Sequence, residues 1–210
     1  PVAPEHLISL RRAPDVRQAC NAAYGDSADS YVISLRELQG LIGAYEWRKK
    51  GVEIPALGAR IHPHYGVFSP VRGEYIDLIA QEPLPKALTQ EPQRLAFDIG
   101  TGTGVLAAVL ARRGVPRIIA TDLAERALAC ARDNIERLGL AQQVEVQKTD
   151  LFPAGRAALI VCNPPWVPAR AHSTLEAAVY DPGSQMLYGF LDGLRAHLDE
   201  DGEGWLILSD

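Results

Sequence analysis

The chain has 210 residues, 47% of them hydrophobic and 22% charged. That balance describes a globular protein of one domain plus a small appendage, and it excludes a disordered tail, a collagen-like fibre or a charged linker. Twenty-one basic residues against 26 acidic ones leave a net charge of −5, which is not the footprint of a broadly basic nucleic-acid binder.

The three cysteines, Cys20, Cys130 and Cys162, are odd in number and have no paired spacing. Neither a disulfide framework nor a metal knuckle is expected from them, and reduced thiols fit a cytoplasmic protein. No window approaches the roughly 20 apolar residues of a membrane span. The start, Pro1-Val2-Ala3-Pro4-Glu5, lacks a charged n-region and an apolar h-region. The missing initial Met and the stop at Asp210 straight after an apolar run give the expectation of a chain cut at both ends.

In chain order, residues 15–23 read as a short helix closed by Gly25. Ser34-Leu35-Arg36-Glu37 fits a capping box, in which the hydroxyl and the carboxylate each satisfy a free backbone donor. The helix it opens runs through Leu38, Leu41, Ile42 and Tyr45 to Gly51. Residues 59–62 and 65–68 resemble two strands of a hairpin around Pro63-His64. A helix over about 72–80 follows, and then a connector punctuated by Pro83, Pro85 and Pro92.

From Arg94 onward the pattern becomes β-α-β-α-β-β-α-β. The strands are expected at 94–99, 117–121, 144–148, 157–162 and 205–208. The helices are expected at 105–113, 124–138 and 184–198. Strands alternating with helices imply a doubly wound, mostly parallel α/β sheet, in which ligands bind beyond the carboxyl ends of the strands. The expected organisation is a mainly helical N-terminal domain over 1–58, a hairpin and connector over 59–93, and an α/β domain over 94–210.

The polar motifs of the second part fall at those strand ends and should converge on one cleft. Asp98-Ile99-Gly100-Thr101-Gly102-Thr103-Gly104 follows the first strand. Glycines there let a ligand approach the backbone at a helix start, where amide donors are free. The bland reading is a tight strand–helix turn. The spacing is not the dinucleotide fingerprint, because Val105 stands where the third glycine belongs.

Asp122 ends the second strand. A carboxylate there accepts both hydroxyls of a ribose, or merely caps the helix that follows. Asp150 ends the third strand.

Asn163-Pro164-Pro165-Trp166 ends the fourth strand and is the most specific signal. Successive prolines fix φ and hold the preceding residue extended. An amide oxygen together with a proline carbonyl accepts both hydrogens of an –NH2 group and leaves the nitrogen lone pair free for an electrophile. The Trp166 indole stacks on a planar amide or base. The bland reading is a proline-rich loop with a packing tryptophan.

At this point residues 94–209 resemble a class I S-adenosylmethionine-dependent methyltransferase. Phe97-Asp98-Ile99-Gly100-Thr101-Gly102-Thr103-Gly104 is similar to that family's first motif. Asn163-Pro164-Pro165-Trp166 is similar to the Asn/Asp-Pro-Pro-aromatic motif of its nitrogen-methylating branch. Within that branch the resemblance is greatest to the release-factor glutamine methyltransferase group. Residues 66–75 look like the substrate-side hairpin and helix start before that group's catalytic domain, and residues 180–189 like its acid-Pro then Leu-x-Gly segment. Trp166 departs from the usual Tyr or Phe, and the group's last two antiparallel strands have no counterpart before Asp210.

The resemblance implies a Rossmann-like fold and S-adenosyl-L-methionine as cofactor. Phe97, Asp98, Gly100, Thr101, Gly102 and Gly104 would cradle its methionine end. Asp122 would hold the ribose and Leu123 would lie against the adenine. Asp150 would accept the adenine amino group with Leu151 packing nearby. Asn163, Pro164, Pro165 and Trp166 would hold the target nitrogen beside the cofactor. The implied partner is a protein substrate of the release-factor kind, recognised by the N-terminal region. The alternatives are an exocyclic amine of RNA or DNA, and a cofactor-binding module without catalysis. A nicotinamide dehydrogenase is more distant.

The remaining candidates take bland readings. His62 and His64 make a conceivable metal pair with no third ligand, so no metal site is expected. Cys162 is a small core residue. Arg11-Arg12 and Arg48-Lys49-Lys50 are solvated ends, with RNA contact as the alternative. Tyr31, Tyr45 and Trp47 are packing residues.

Overall fold

The computed structural model describes residues 1–71, 73–91, 93–169 and 179–208. The N-terminal part is built on α1 (Arg17–Tyr24) and α2 (Leu35–Lys50). Val16, Cys20 and Ala23 pack on Leu38, Leu41 and Tyr65 in a small separate core. Ser34 caps α2 by accepting from the Glu37 amide at 3.1 Å. Only half of the expected capping box forms, because the Glu37 carboxylate instead accepts from the Tyr24 hydroxyl at 2.7 Å. A side chain committed to tying α1 to α2 does not fold back on its own helix start.

The strand expected over 59–62 forms, but its hairpin partner precedes it and does not follow it. β1 (Val52–Ile54) pairs antiparallel with β2 (Ala59–Ile61). A 3-10 turn over Pro55–Leu57 joins them, with Gly58 left-handed at φ 58°. Residues 65–68 form a turn, not the second strand expected for them. The reason lies in the donors of the intervening segment. The His62 amide goes to Asn134 Oδ1 at 2.7 Å and the His64 amide to Cys130 Sγ at 3.3 Å. Pro63 has no N–H to offer. The segment therefore docks on a helix of the α/β domain and does not turn back on β2.

Next come α3 (Glu74–Gln81) and the short α4 (Lys86–Gln90), the latter inside the expected connector. Proline spacing hides this helix, yet Pro85 sits at its N-cap, where its missing donor does no harm. The expected start of α3 at Arg72 and the connector's Pro92 fall outside the described residues.

The α/β domain is close to its expected outline: β3 (Ala96–Ile99), α5 (Val105–Arg112), β4 (Ile118–Asp122), α6 (Glu125–Arg137), β5 (Val144–Lys148), β6 (Ala157–Cys162), α7 (Gln185–His197) and β7 (Leu198–Leu206). The five strands run parallel in the order β5-β4-β3-β6-β7. β3 and β6 are buried throughout, as befits strands covered on both faces. One face packs on α5 and α6, with α3 against α5, and the other on α7 through Phe97, Ile160 and Phe190. β7 begins earlier than expected. Its register slips against β6, with Ala157 opposite Leu198 and Leu159 opposite Glu203. The acidic stretch inside that bulge includes Asp199 and Asp201, both paired with Arg94.

The chain runs outward from β3 through β4 to β5, then returns to place β6 on β3's other side. The sheet order therefore reverses between β3 and β6. A crevice at the carboxyl ends of strands flanking such a reversal is where open α/β sheets bind ligands.

Candidate active site

A cavity of about 710 Å³ opens at that crevice, within the range of pockets that enclose small organic ligands. Its floor is the glycine loop. Gly100, Gly102 and Gly104 all have positive φ, 70°, 55° and 81°, which side-chain-bearing residues rarely adopt. At Gly102 a Cβ would meet nothing nearer than 3.9 Å, so that backbone stands open to a ligand. At Gly100 a Cβ would lie 2.3 Å from the Met186 methyl, and at Gly104 one would lie 3.3 Å from the Ala131 Cα. The three glycines thus serve three different contacts.

Asp98 is buried beneath the loop and accepts from Thr101 Oγ1 at 2.6 Å and the Ala107 amide at 3.1 Å. Burial pushes its carboxyl up to about 6, against those two hydrogen bonds, and the charge of Asp122 adds to the rise.

Asp122 stands at the end of β4. Oδ2 accepts from the Gly102 amide at 3.1 Å and Oδ1 from the Ala124 amide at 2.9 Å. Burial raises its carboxyl above the usual range. The carboxylate therefore welds the glycine loop to the start of α6, and each oxygen keeps a free lone pair at the cavity. The helix-cap alternative is met only in this sense: the N-cap position is Ala124, which makes no side-chain cap.

Leu123, 56% exposed although large and apolar, and Leu151 line the cavity together with Asp150. Leu151 has a left-handed backbone, φ 59°. Its carbonyl accepts from Thr121 Oγ1 at 2.7 Å, which holds it there. Such strain in a non-glycine residue collects at binding sites.

Asn163, Pro164, Pro165 and Trp166 form the opposite wall. The Trp166 indole donates to Asn163 Oδ1 at 3.2 Å and meets the Phe68 ring edge-on at 6.0 Å. The cavity thus gathers every expected site residue except two. Phe97 is fully buried on the α7 face of the sheet, because alternation along β3 turns it away from Asp98. Gly104 packs against α6.

Several lining residues lie outside the expected site set, although Phe68 and Tyr75 belong to the 66–75 stretch that resembles a substrate-side segment. Phe68 and Tyr75 come from the segment before the α/β domain, and Arg126, Asp181 and Met186 from helix starts. Asp181 is buried and accepts from the Met186 and Leu187 amides at 3.0 and 3.3 Å, which fixes the first turn of α7 over the glycine loop. The acid-Pro segment carried that signal. Arg126 had none: its Nη2 donates to the Ala23 carbonyl of α1 at 2.8 Å and its guanidinium lies 5.6 Å from the Tyr65 ring centre. His62 and His64 take structural partners. The rings reach the Arg48 carbonyl at 2.7 Å and Asp133 Oδ2 at 3.3 Å.

The donor set fits S-adenosylmethionine. Backbone amides and buried carboxylates surround the open glycine loop, a half-buried carboxylate with free lone pairs suits a vicinal diol, and two leucines offer an apolar slot for a purine.

Comparison with known proteins agrees with this geometry. A release factor glutamine methyltransferase from Cereibacter sphaeroides is 39% identical over 121 residues, covering 55% of this chain and 43% of that protein. One from Deinococcus radiodurans is 33% identical over 201 residues, covering 90% of this chain and 66% of that protein. The chain thus spans from about two fifths to just under two thirds of the length of these relatives. A methyltransferase from Pyrococcus furiosus of known crystal structure shares the fold, with a TM-score of 0.53 at 21% identity over 83% of this chain and 79% of that one. Residues 58–209 match the methyltransferase small domain, and the chain belongs to that family.

Proposed function

We propose that this protein is an S-adenosylmethionine-dependent N-methyltransferase acting on a glutamine side chain of a release factor. The observation that carries the reading is the position of Asn163-Pro164 at the end of β6, across the sheet reversal from the glycine loop and lining the same cavity. When bound, the cofactor supplies an electrophilic sulfonium methyl and a good leaving group.

The chain's own residues orient and polarise. Asn163 Oδ1 and the Pro164 carbonyl accept the two hydrogens of the target –NH2. That pairing directs the nitrogen lone pair away from both acceptors and into the cavity. An amide nitrogen is a poor nucleophile because its lone pair is delocalised. The two accepted hydrogen bonds favour pyramidal nitrogen as the transition state forms, which is where such contacts accelerate a reaction. Phe68, Tyr75 and Trp166 present aromatic surface at the same end of the cavity.

The choice of a protein substrate rests on the relatives named above and on the net charge of −5, which is unfavourable for phosphate backbones. The N-terminal helical part, over 1–58, is the proposed recognition unit.

The test is transfer of labelled methyl to a purified release factor and to the same factor with its acceptor glutamine changed to alanine. Label on the first and none on the second supports the reading. Label on neither, with an RNA fraction labelled instead, overturns the substrate class and retains the chemistry.

A further inference from the structure

An asparagine that must present oxygen to an amino group faces a problem of symmetry. The two ends of its carboxamide are nearly equal in size, and a half-turn about χ2 exchanges an acceptor for a donor. A donor turned toward an –NH2 group repels it. In this chain the carboxamide of Asn163 has a neighbour that reads the difference. The Trp166 indole Nε1–H carries a hydrogen and no lone pair, so it bonds only to the oxygen end, and it does so at 3.2 Å. A carbonyl oxygen has two lone pairs, so one remains for the target.

The indole is itself held. Its edge-on contact with Phe68 spans 6.0 Å, and Phe68 lies 6.3 Å from the buried Tyr75 of α3. Three aromatic rings along the cavity wall thus tie the Asn163 loop to the segment preceding the α/β domain.

We propose that Trp166 is a positioning residue for Asn163: its indole N–H fixes the carboxamide oxygen end toward the acceptor side of the cavity. This rests on the N-methyl transfer reading above and adds to it a task that a phenylalanine at the same place lacks.

The experiment is a double-mutant cycle read on two signals. Trp166→Phe keeps a ring and removes the donor. It lowers kcat for release-factor methylation about tenfold and leaves the dissociation constant of S-adenosylhomocysteine within about twofold. In an Asn163→Asp background both ends of the side chain are oxygen, so orientation no longer matters. There Trp166→Phe lowers the residual kcat by less than about twofold. An equal loss in both backgrounds assigns Trp166 to wall packing and overturns the proposal.

The second signal does not depend on activity. The three tryptophans, Trp47, Trp166 and Trp205, give three indole N–H resonances in the nitrogen-labelled chain. Asn163→Ala shifts that of Trp166 and leaves the other two in place. An unmoved Trp166 resonance means no bond to Asn163 and sinks the proposal. If the native chain transfers no methyl, or Asn163→Asp has no measurable rate, the function reading or the cycle falls and the indole shift alone decides on Trp166.

Discussion

Asp98, proposed as a cofactor-binding residue, would couple that binding to pH. Its carboxyl is raised to about 6, chiefly by burial, so above that pH it holds a negative charge beneath the glycine loop. S-adenosylmethionine and S-adenosylhomocysteine both carry an ammonium group, and a nearby buried carboxylate favours it. The dissociation constant of S-adenosylhomocysteine, measured by calorimetry, is expected to rise as pH falls through about 6. Asp98→Asn should bind weakly and show no such step. The stability contribution has the opposite direction. A carboxyl raised from 3.8 to about 6 on folding holds its proton more tightly in the folded state. That stabilisation is fully present below the unfolded value and is lost as pH rises through about 6. Gly104 makes a second residue-scale case. Its φ of 81° strains any side-chain-bearing residue, and the Ala131 Cα 3.3 Å from a virtual Cβ makes the fit tight. Gly104→Ala is expected to destabilise the fold by about 1–3 kcal/mol in urea titration, from backbone strain and crowding against α6.

Among the elements, α6 bonds the earlier part of the chain through several side chains: Asn134, Cys130, Asp133 and Arg126. Asn134 is fully buried on it and bonds the His62 amide, the His62 carbonyl and the Thr103 carbonyl at 2.7, 3.3 and 3.0 Å. One side chain thus fastens both the segment after β2 and the glycine loop to the same helix. Asn134→Ala leaves these buried backbone groups unpaired, and a loss of about 2–5 kcal/mol is expected by urea denaturation. This junction also explains what the sequence conveyed and what it hid. Strands β3 to β6 and the helices between them were legible, because 3.6-residue periodicity in α6 and continuous apolar runs in β6 are local signals. The hairpin was misplaced because His62-Pro63-His64 owes its conformation to Asn134 and Cys130, some 70 positions away, and no window includes them. Helix α4 was masked by prolines that happen to flank it. The early start of β7 was masked by an acidic stretch whose charges are paired by Arg94, two residues before β3.

In the whole molecule, function follows from sheet order. The reversal between β3 and β6 brings the glycine loop and Asn163 to one cavity although more than 60 positions separate Gly100 from Asn163. The motifs were legible because each stands at a strand end, which is the rim that the topology exposes. The aromatic wall was legible only in part, through Trp166 and the resemblance of residues 66–75 to a substrate-side segment, because Phe68 and Tyr75 reach the cavity through the docking of that segment; Arg126, which joins α1 to the rim through a backbone carbonyl, gave no signal. We propose that the cavity separates two tasks, cofactor binding on the glycine-loop side and target orientation on the Asn163 side. One paired measurement tests it most directly: calorimetric binding of S-adenosylhomocysteine and labelled methyl transfer to a release factor, both on Asn163→Ala. Binding is expected to stay within about threefold of the native chain while transfer falls by at least about a hundredfold. Transfer at the native rate, or loss of binding and transfer together with the fold intact, would contradict it.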